Sequence, residues 1–213
     1  MFPLERVTLV VVNYPMKYPP HLLKLIDVLR KLPGVGIKSA ERFAFEMISW
    51  PKEAIDEMAS VIQQTPALLT HCEECGCLAG QETCYFCASA PARKPALCLV
   101  AMPRDVFAIE STHEFKGIYH VLGALLSPID GFGPEKFNLD KLKRRIVDLK
   151  IEELIIALDS TLEGDATALY LKQELESLDL SISRLAFGLP MGSSLDYVDG
   201  GTLARALSAR GKF

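Results

Sequence analysis

No apolar stretch of this chain approaches the roughly 20 residues that a membrane-spanning helix needs, so no transmembrane segment is expected. The one β-prone run near the start, Thr8-Leu9-Val10-Val11-Val12, is short and has no small-residue cleavage site behind it, which argues against a secretory signal. A positive balance is missing as well. With 23 Lys and Arg against 27 Asp and Glu the net charge is −4, so affinity for nucleic acid cannot come from a field spread over the whole protein. There is no G-x-x-x-x-G-K-[ST] loop: Gly34-Val35-Gly36-Ile37-Lys38-Ser39 has the Lys-Ser but the wrong spacing, and ATP hydrolysis is not expected. Internal repeats and low-complexity segments are absent too.

The 213 residues suffice for one medium domain or two or three small ones, and a hydrophobic content of 49% with 23% charged residues is that of an ordinary globular chain. Residues 1–15 hold a single β-prone run between Pro3 and Pro15 and read poorly as part of the helical region after them. Met16-Lys17-Tyr18-Pro19-Pro20 reads as a second beginning, so 1–15 is expected to be an N-terminal extension or a mis-assigned start.

Residues 16–70 are organised around Leu32-Pro33-Gly34-Val35-Gly36-Ile37-Lys38-Ser39-Ala40-Glu41-Arg42-Phe43. Leu22, Leu25, Ile26 and Leu29 before it, and Ala40, Phe43, Ala44 and Met47 after it, repeat the spacing of one apolar helix face. Between the two helices Pro33 stops the first, while Gly34 and Gly36 allow positive φ and close backbone approach. The second helix should begin near Ile37 with its first amides unpartnered, a ready anion site, and Lys38 and Arg42 share one of its faces. From Lys17 to Arg42, Lys17, Lys24, Arg30, Lys31, Lys38 and Arg42 face only Asp27 and Glu41, a local basic patch on an acidic chain. A plain helix–turn–helix corner would also use glycines. However, Leu-Pro-Gly-Val-Gly followed by Ala matches the helix-hairpin-helix core of DNA-binding proteins. A third helix opens near Pro51, is apolar at Ile55, Met58 and Ile62, and is expected to end at Pro66.

Residues 71–88 carry Cys72-x-x-Cys75 and Cys84-x-x-Cys87, two knuckles whose four thiolates can complete a tetrahedral zinc site with no open position. Without export signals the spacing favours metal over disulfides and a cytoplasmic location. Disulfides, free thiols and an iron–sulfur cluster stay open on spacing alone. With few apolar residues in the loop, the metal is expected to be structural and to supply the local folding energy. Cys77 reads as a bystander, Cys98 as a small buried hydrophobe, and His71 as an unneeded substitute ligand.

After a linker at 90–95 the pattern becomes alternating strands and helices, which argues for a mostly parallel sheet over 96–188. Strands are expected at 97–101, 119–122, 154–158 and about 182–187, and helices at 105–110, 139–149 (basic and amphipathic) and 166–178. The fully apolar run 154–158 leads into Asp159-Ser160-Thr161-Leu162-Glu163-Gly164-Asp165, at the strand end where α/β sheets bind ligands. Asp159, Glu163 and Asp165 could hold Mg²⁺ there, although capping of the next helix explains the same spacing and is favoured by it. Residues 189–213 end in a helix, about 202–208, with Leu203, Ala206 and Leu207 on one face, suited to packing between subunits or onto the βα core.

The Pro-Gly hairpin, the four-cysteine knuckle, the Glu163-Gly164-Asp165-Ala166-Thr167 loop and the Val198-Asp199-Gly200-Gly201-Thr202-Leu203 tail occur in the order of the bacterial recombination mediator RecR family. The resemblance covers roughly residues 16 to 213. It implies a helix-hairpin-helix region, a four-cysteine zinc finger with one zinc per chain on Cys72, Cys75, Cys84 and Cys87, a Toprim domain and a helical tail whose segment from Leu189 is similar to one described as Walker-B-like. It also implies DNA contacts by Gly34, Gly36, Lys38 and Arg42, and ring-shaped homo-oligomers at the nucleoid. Its members work in RecFOR repair with RecO-like and RecF-like partners, helping to load RecA on single strands coated by SSB. Two departures bear on chemistry. Ala101 stands where catalytic Toprim domains have Glu, and Asp159 is followed at +2 by Thr161 rather than Asp. Phosphoryl transfer needs that charge to hold cations. A non-enzymatic mediator is therefore expected, with Glu163 and Asp165 on a surface for partner or DNA. The competing readings are a Mg²⁺-dependent Toprim nuclease or strand-passage enzyme, and a zinc-stabilised protein scaffold.

Overall fold

The computed structural model describes residues 18–81, 83–186, 188–189 and 192–211. The extension at 1–15, the second start at Met16, Phe187 at the end of the last expected strand, and Pro190 and Met191 of the tail lie outside the described residues. The chain divides into two compact units, one up to Thr65 and one from Pro66.

Three helices open the described chain. α1 (Pro20–Leu29) starts on a proline, which loses nothing at a first turn whose amides have no helical acceptor. It buries Leu22 and Ile26 against Ala40 and Ala44 of α2 (Ile37–Ser49), with Leu25, Leu29 and Val35 at the rim. Phe43, expected on this buried stripe, is 38% exposed: the close α1–α2 contact is filled by alanines, which leaves no room for a ring. α3 (Lys52–Leu68) fully buries none of its side chains, and it does not end at Pro66 as expected. The proline sits in the last turn, where the carbonyl it leaves unbonded simply joins the end carbonyls that lack partners anyway.

In the second unit, β1 (Thr70–His71) and β2 (Leu78–Ala79) pair antiparallel across the first cysteine knuckle, and α4 (Tyr85–Ala88) carries the second. Four strands, β3 (Ala96–Val100), β4 (Ile118–Val121), β5 (Glu153–Ala157) and β6 (Ser181–Arg184), form a parallel sheet in the order β4-β3-β5-β6. α5 (Pro103–Glu110), α6 (Leu139–Asp148) and α7 (Leu162–Leu175) connect them, and α8 (Gly200–Ser208) closes the chain. Alternation along β3 divides the core into two. Leu97 and Leu99 face Leu142 and Ile146 of α6 and Leu171 and Leu175 of α7. Cys98 and Val100 belong to the other cluster, with Val106 of α5, Tyr119, Val121, Phe86, Cys75 and Cys77. The cysteine segment thus acts as part of a layer over one sheet face, the place a crossover helix usually takes.

Two expectations shift. Residues 90–95 are anchored rather than free: after a short 3-10 turn at Ala90–Ala92, Arg93 pairs with Glu110 at 2.6 Å and donates to the Gly117 carbonyl at 2.9 Å. Arg93, and then the Tyr119 hydroxyl at 2.7 Å, hold the Glu110 carboxyl below its ordinary range. α7 begins at Leu162, four residues earlier than expected, because the Thr161 hydroxyl accepts the Gly164 amide at 3.1 Å and caps the helix there.

β4 is an edge strand, and its outer side is covered by the knuckle. The Val121 amide donates to the Cys75 carbonyl at 2.8 Å, and Gly76, at φ +73°, lies so close that a Cβ there would stand 2.8 Å from the Val121 oxygen. Gly76→Ala is expected to cost about 2 kcal/mol, lowering the thermal midpoint by roughly 4–8 °C; an unchanged melting curve would show that the knuckle is not seated on β4 as described.

Candidate functional site

The hairpin is built from the end of α1 and the start of α2. Gly34 sits at φ +78°, a conformation that only glycine adopts without strain. Gly36 differs from expectation: as the residue before α2 it has φ −78° and ψ 173°, extended backbone open to any amino acid, and a Cβ built on it meets nothing within 4 Å. Nothing among the described residues requires glycine there. Having no side chain, Gly36 cannot cap α2, and the first rung of the helix is Ala40 amide to Gly36 carbonyl at 2.9 Å. The amides of Ile37, Lys38 and Ser39 precede that rung and have no carbonyl a turn behind them. Pro33, Gly34 and Gly36 are exposed, as is Arg42 one turn along the same helix. The Lys38 side chain is 93% exposed and 3.4 Å from Glu41. Bare amides, a helix dipole and two cations open to solvent make a surface that can receive a phosphate.

The four cysteines converge from separate knuckles. Their sulfurs all lie within 4.8 Å of one another, with Cys72 to Cys87 at 3.8 Å and Cys75 to Cys84 at 3.5 Å. Four thiolates around zinc at about 2.3 Å stand about 3.8 Å apart, whereas a disulfide brings its sulfurs to about 2.0 Å. The arrangement fits a metal and not a cystine, and the cluster can hold a metal ion. Crowding pushes the Cys87 thiol up, first through its hydrogen bond with Cys75, and raises Cys75 first through Cys77; a bound cation reverses this by favouring the thiolate. Cys77 lies outside the ligand set and is fully buried in the core, and its carbonyl accepts the Cys72 amide at 2.8 Å. Burial raises the Cys98 thiol to about 12, as suits a small core residue. His71 is exposed on β1 and takes no part in the cluster.

Sequence reasoning missed the residues that hold this cluster from the other side. Arg145 of α6 is 7% exposed and donates to the Tyr119 carbonyl at 2.8 Å, to His120 Nδ1 at 3.3 Å and to Cys87 Sγ at 3.8 Å. Burial, then the neighbouring Arg145 charge, lowers His120 to about 4, leaving a neutral ring that can accept the guanidinium N–H. The available signal was position: Arg145 follows Leu142 by three and adjoins Ile146, so it falls on the apolar stripe of an otherwise basic helix.

At the carboxyl ends of β3 and β5 a cleft of about 450 Å³ is lined by Ala101, Arg104, Ser127, Asp130, Asp159 and Glu163, among others. Asp165 lies elsewhere. Its two oxygens are taken by Arg184 at 2.6 Å and Arg205 of α8 at 2.7 Å, and these arginines, Arg205 first, hold the carboxyl below its ordinary range. Among the described residues the four cysteines are the group of three or more ligating side chains close enough to share a metal. The carboxylates form no such group: Asp159 and Glu163 face the cleft, and Asp165 fastens the C-terminal helix. Leu203 and Ala206 on α8 are half-buried and Leu207 is 59% exposed. No helix of the described residues is long and apolar enough to cross a membrane.

Three stretches of the chain match known families. Residues 22–65 match the helix-hairpin-helix of RecR, residues 96–186 the Toprim domain, and residues 188–210 the C-terminal region of RecR. The Recombination protein RecR of Protochlamydia amoebophila (strain UWE25) is 59% identical over 198 residues, which cover 93% of this chain and 100% of that protein. The proteins of the same name from Chlamydia abortus (strain DSM 27085 / S26/3) and Chlamydia trachomatis serovar D (strain ATCC VR-885 / DSM 19411 / UW-3/Cx) are each 50% identical over 200 residues, again 93% of this chain and 100% of theirs. With its hairpin, its four-cysteine cluster and its parallel Toprim sheet in one order along the sequence, the chain belongs to the RecR family of recombination proteins.

Proposed function

We propose that this chain is a mediator of recombinational repair that grips the nucleic-acid backbone through the hairpin and performs no chemistry on it. The observation that carries the reading is the start of α2. Gly36, at the N-cap of α2, brings no side chain over the helix end, and the amides of Ile37, Lys38 and Ser39 lie uncovered beside the exposed Lys38 and Arg42. An anion on those amides is what such a helix end receives. Contacts of this kind position a backbone without reading bases.

The chain is a recombination protein and not an enzyme. The cleft presents Ala101 where phosphoryl transfer requires a carboxylate, Thr161 caps α7, and Asp165 is engaged by two arginines. Zinc on Cys72, Cys75, Cys84 and Cys87, one per chain, would fix the knuckle on the sheet; it supplies structure, since four thiolates leave no open coordination position. The acidic residues of the Toprim unit, Asp159 and Glu163 at the cleft, offer a surface to a RecO-like partner. In this reading homo-oligomers act in the cytoplasm, at the nucleoid, within a RecFOR-type pathway that includes a RecF-like protein, and assist RecA onto SSB-coated single strands.

Replacing Lys38 and Arg42 together by alanine is expected to weaken DNA binding about tenfold or more at low salt and to flatten the dependence of log affinity on log salt by close to two charges' worth. Gly36→Ala should still fold, losing about 1 kcal/mol or less at the start of α2, and bind more weakly. Affinity and slope equal to wild type in both variants would remove the hairpin from the interface. A supercoiled plasmid incubated with the protein and Mg²⁺ should stay supercoiled; nicking that Glu163→Gln abolishes would establish the Toprim enzyme instead.

A further inference from the structure

A guanidinium stays charged at any pH a folded protein tolerates. Arg145 keeps one almost out of water, and among the described residues it forms no ion pair with any carboxylate. Glu74 and Asp148 line the same shallow surface cleft as Arg145, but both are exposed and neither pairs with it. An uncompensated buried cation costs several kcal/mol, so a counter-charge must be sought among its hydrogen-bond partners. The Tyr119 carbonyl carries none, and the His120 ring nitrogen accepts from a group that can only donate, so it is the lone pair of a neutral ring. That leaves the Cys87 sulfur, 3.8 Å from Nη2. Thiols are neutral and disulfides are neutral. Four thiolates around one divalent cation are not, because they leave two negative charges uncancelled.

We infer that Arg145 is the buried counter-cation of a metal–tetrathiolate centre, seated on the Cys87 sulfur, and that it sets how tenaciously the centre keeps its metal. The inference rests on reading the four cysteines as a metal site. Cys75 and Cys84 are buried, whereas the half-buried Cys87 lines the same surface cleft as Arg145 and the half-buried Cys72 lines another, so one of the two ways a chelator can reach the cluster passes Arg145. A charged N–H on the sulfur offsets the negative charge that four thiolates leave on the centre and so favours the metal-bound cluster over its release. Because Arg145 belongs to α6 and also holds the β4 backbone at Tyr119, the same side chain ties the metal centre to the sheet. It is a positioning residue, not a ligand.

The test uses the full-length protein purified with its metal. Metal analysis comes first, and then the rate of zinc transfer to a chromophoric chelator at neutral pH. Wild type is compared with Arg145→Met, Arg145→Lys and, as a control, Arg144→Met, which removes a neighbouring exposed charge without the contact. In parallel each protein is loaded with Co²⁺ and its sulfur-to-cobalt charge-transfer band is recorded, a readout that loss of packing alone does not move in a fixed direction. Arg145→Met is expected to release zinc about tenfold faster or more, with the cobalt band shifted to longer wavelength; Arg145→Lys should be intermediate and Arg144→Met unchanged. A wild-type protein without metal would overturn the metal reading itself. One metal per chain with wild-type release and an unshifted band in folded Arg145→Met would overturn the role of Arg145 alone. Should Arg145→Met fail to fold, Arg145→Lys decides on the same two readouts, and wild-type values in both count against the inference.

Discussion

The open edge of β4 is the constraint around which the second unit is arranged. A parallel sheet of four strands leaves two edges with unpaired backbone groups and two faces to cover. Here one irregular segment meets part of both demands. The Cys75 carbonyl takes the Val121 amide at the edge, and Cys75, Cys77 and Phe86 lie over Cys98, Val100 and Tyr119 on the face. Arg93 fastens the segment's exit through Glu110, with its guanidinium 5.7 Å from the Phe86 ring centroid and 5.9 Å from that of Tyr119. Arg145 fastens it from the far side. The cysteine cluster is therefore not a free bead on a linker. Its geometry and that of the sheet are one problem with one solution.

The same arrangement explains why the chain was readable in some places and not in others. Periodicity is a local property, and it placed α1, α2, α6 and the strands because each carries its apolar residues at a fixed spacing along its own axis. The quartet of cysteines was readable for a similar reason, since two short loops set the ligand spacing. What a segment packs against is not written in its own period. Cys77 looked idle because its role lies against the sheet, and residues 90–95 looked like a linker because proline and alanine conceal what Arg93 reaches. The pair Gly34 and Gly36 suggests a backbone freedom at both positions that only Gly34 uses. The acidic residues before Ala166 read as a loop, whereas Thr161 supplies the cap that lets Glu163 and Asp165 sit favourably in a first helical turn.

The carboxyl ends of β3 and β5 have the shape of a ligand site, yet among the described residues their carboxylates do not gather into a group that could share a metal. In a parallel sheet this is where the chain reverses direction across the sheet and opens a crevice. Ala101 lies at its floor, 5% exposed, and contributes a methyl group where a metal would need charge. Asp165 stands apart from the cleft, bridging β6 and α8 through Arg184 and Arg205.

The contact between Lys38 and Glu41 carries a kinetic corollary. So exposed a lysine changes rotamer within picoseconds to nanoseconds, so its hold on the carboxylate is broken and remade continuously. An arriving anion need not wait for any rearrangement of the helices, and a departing one leaves a cation that is at once neutralised again. Lodged on α2 itself, Glu41 is a resident competitor that makes each single contact brief. In the proposed grip, lasting attachment would come from several hairpins engaged together, and detachment could proceed one contact at a time.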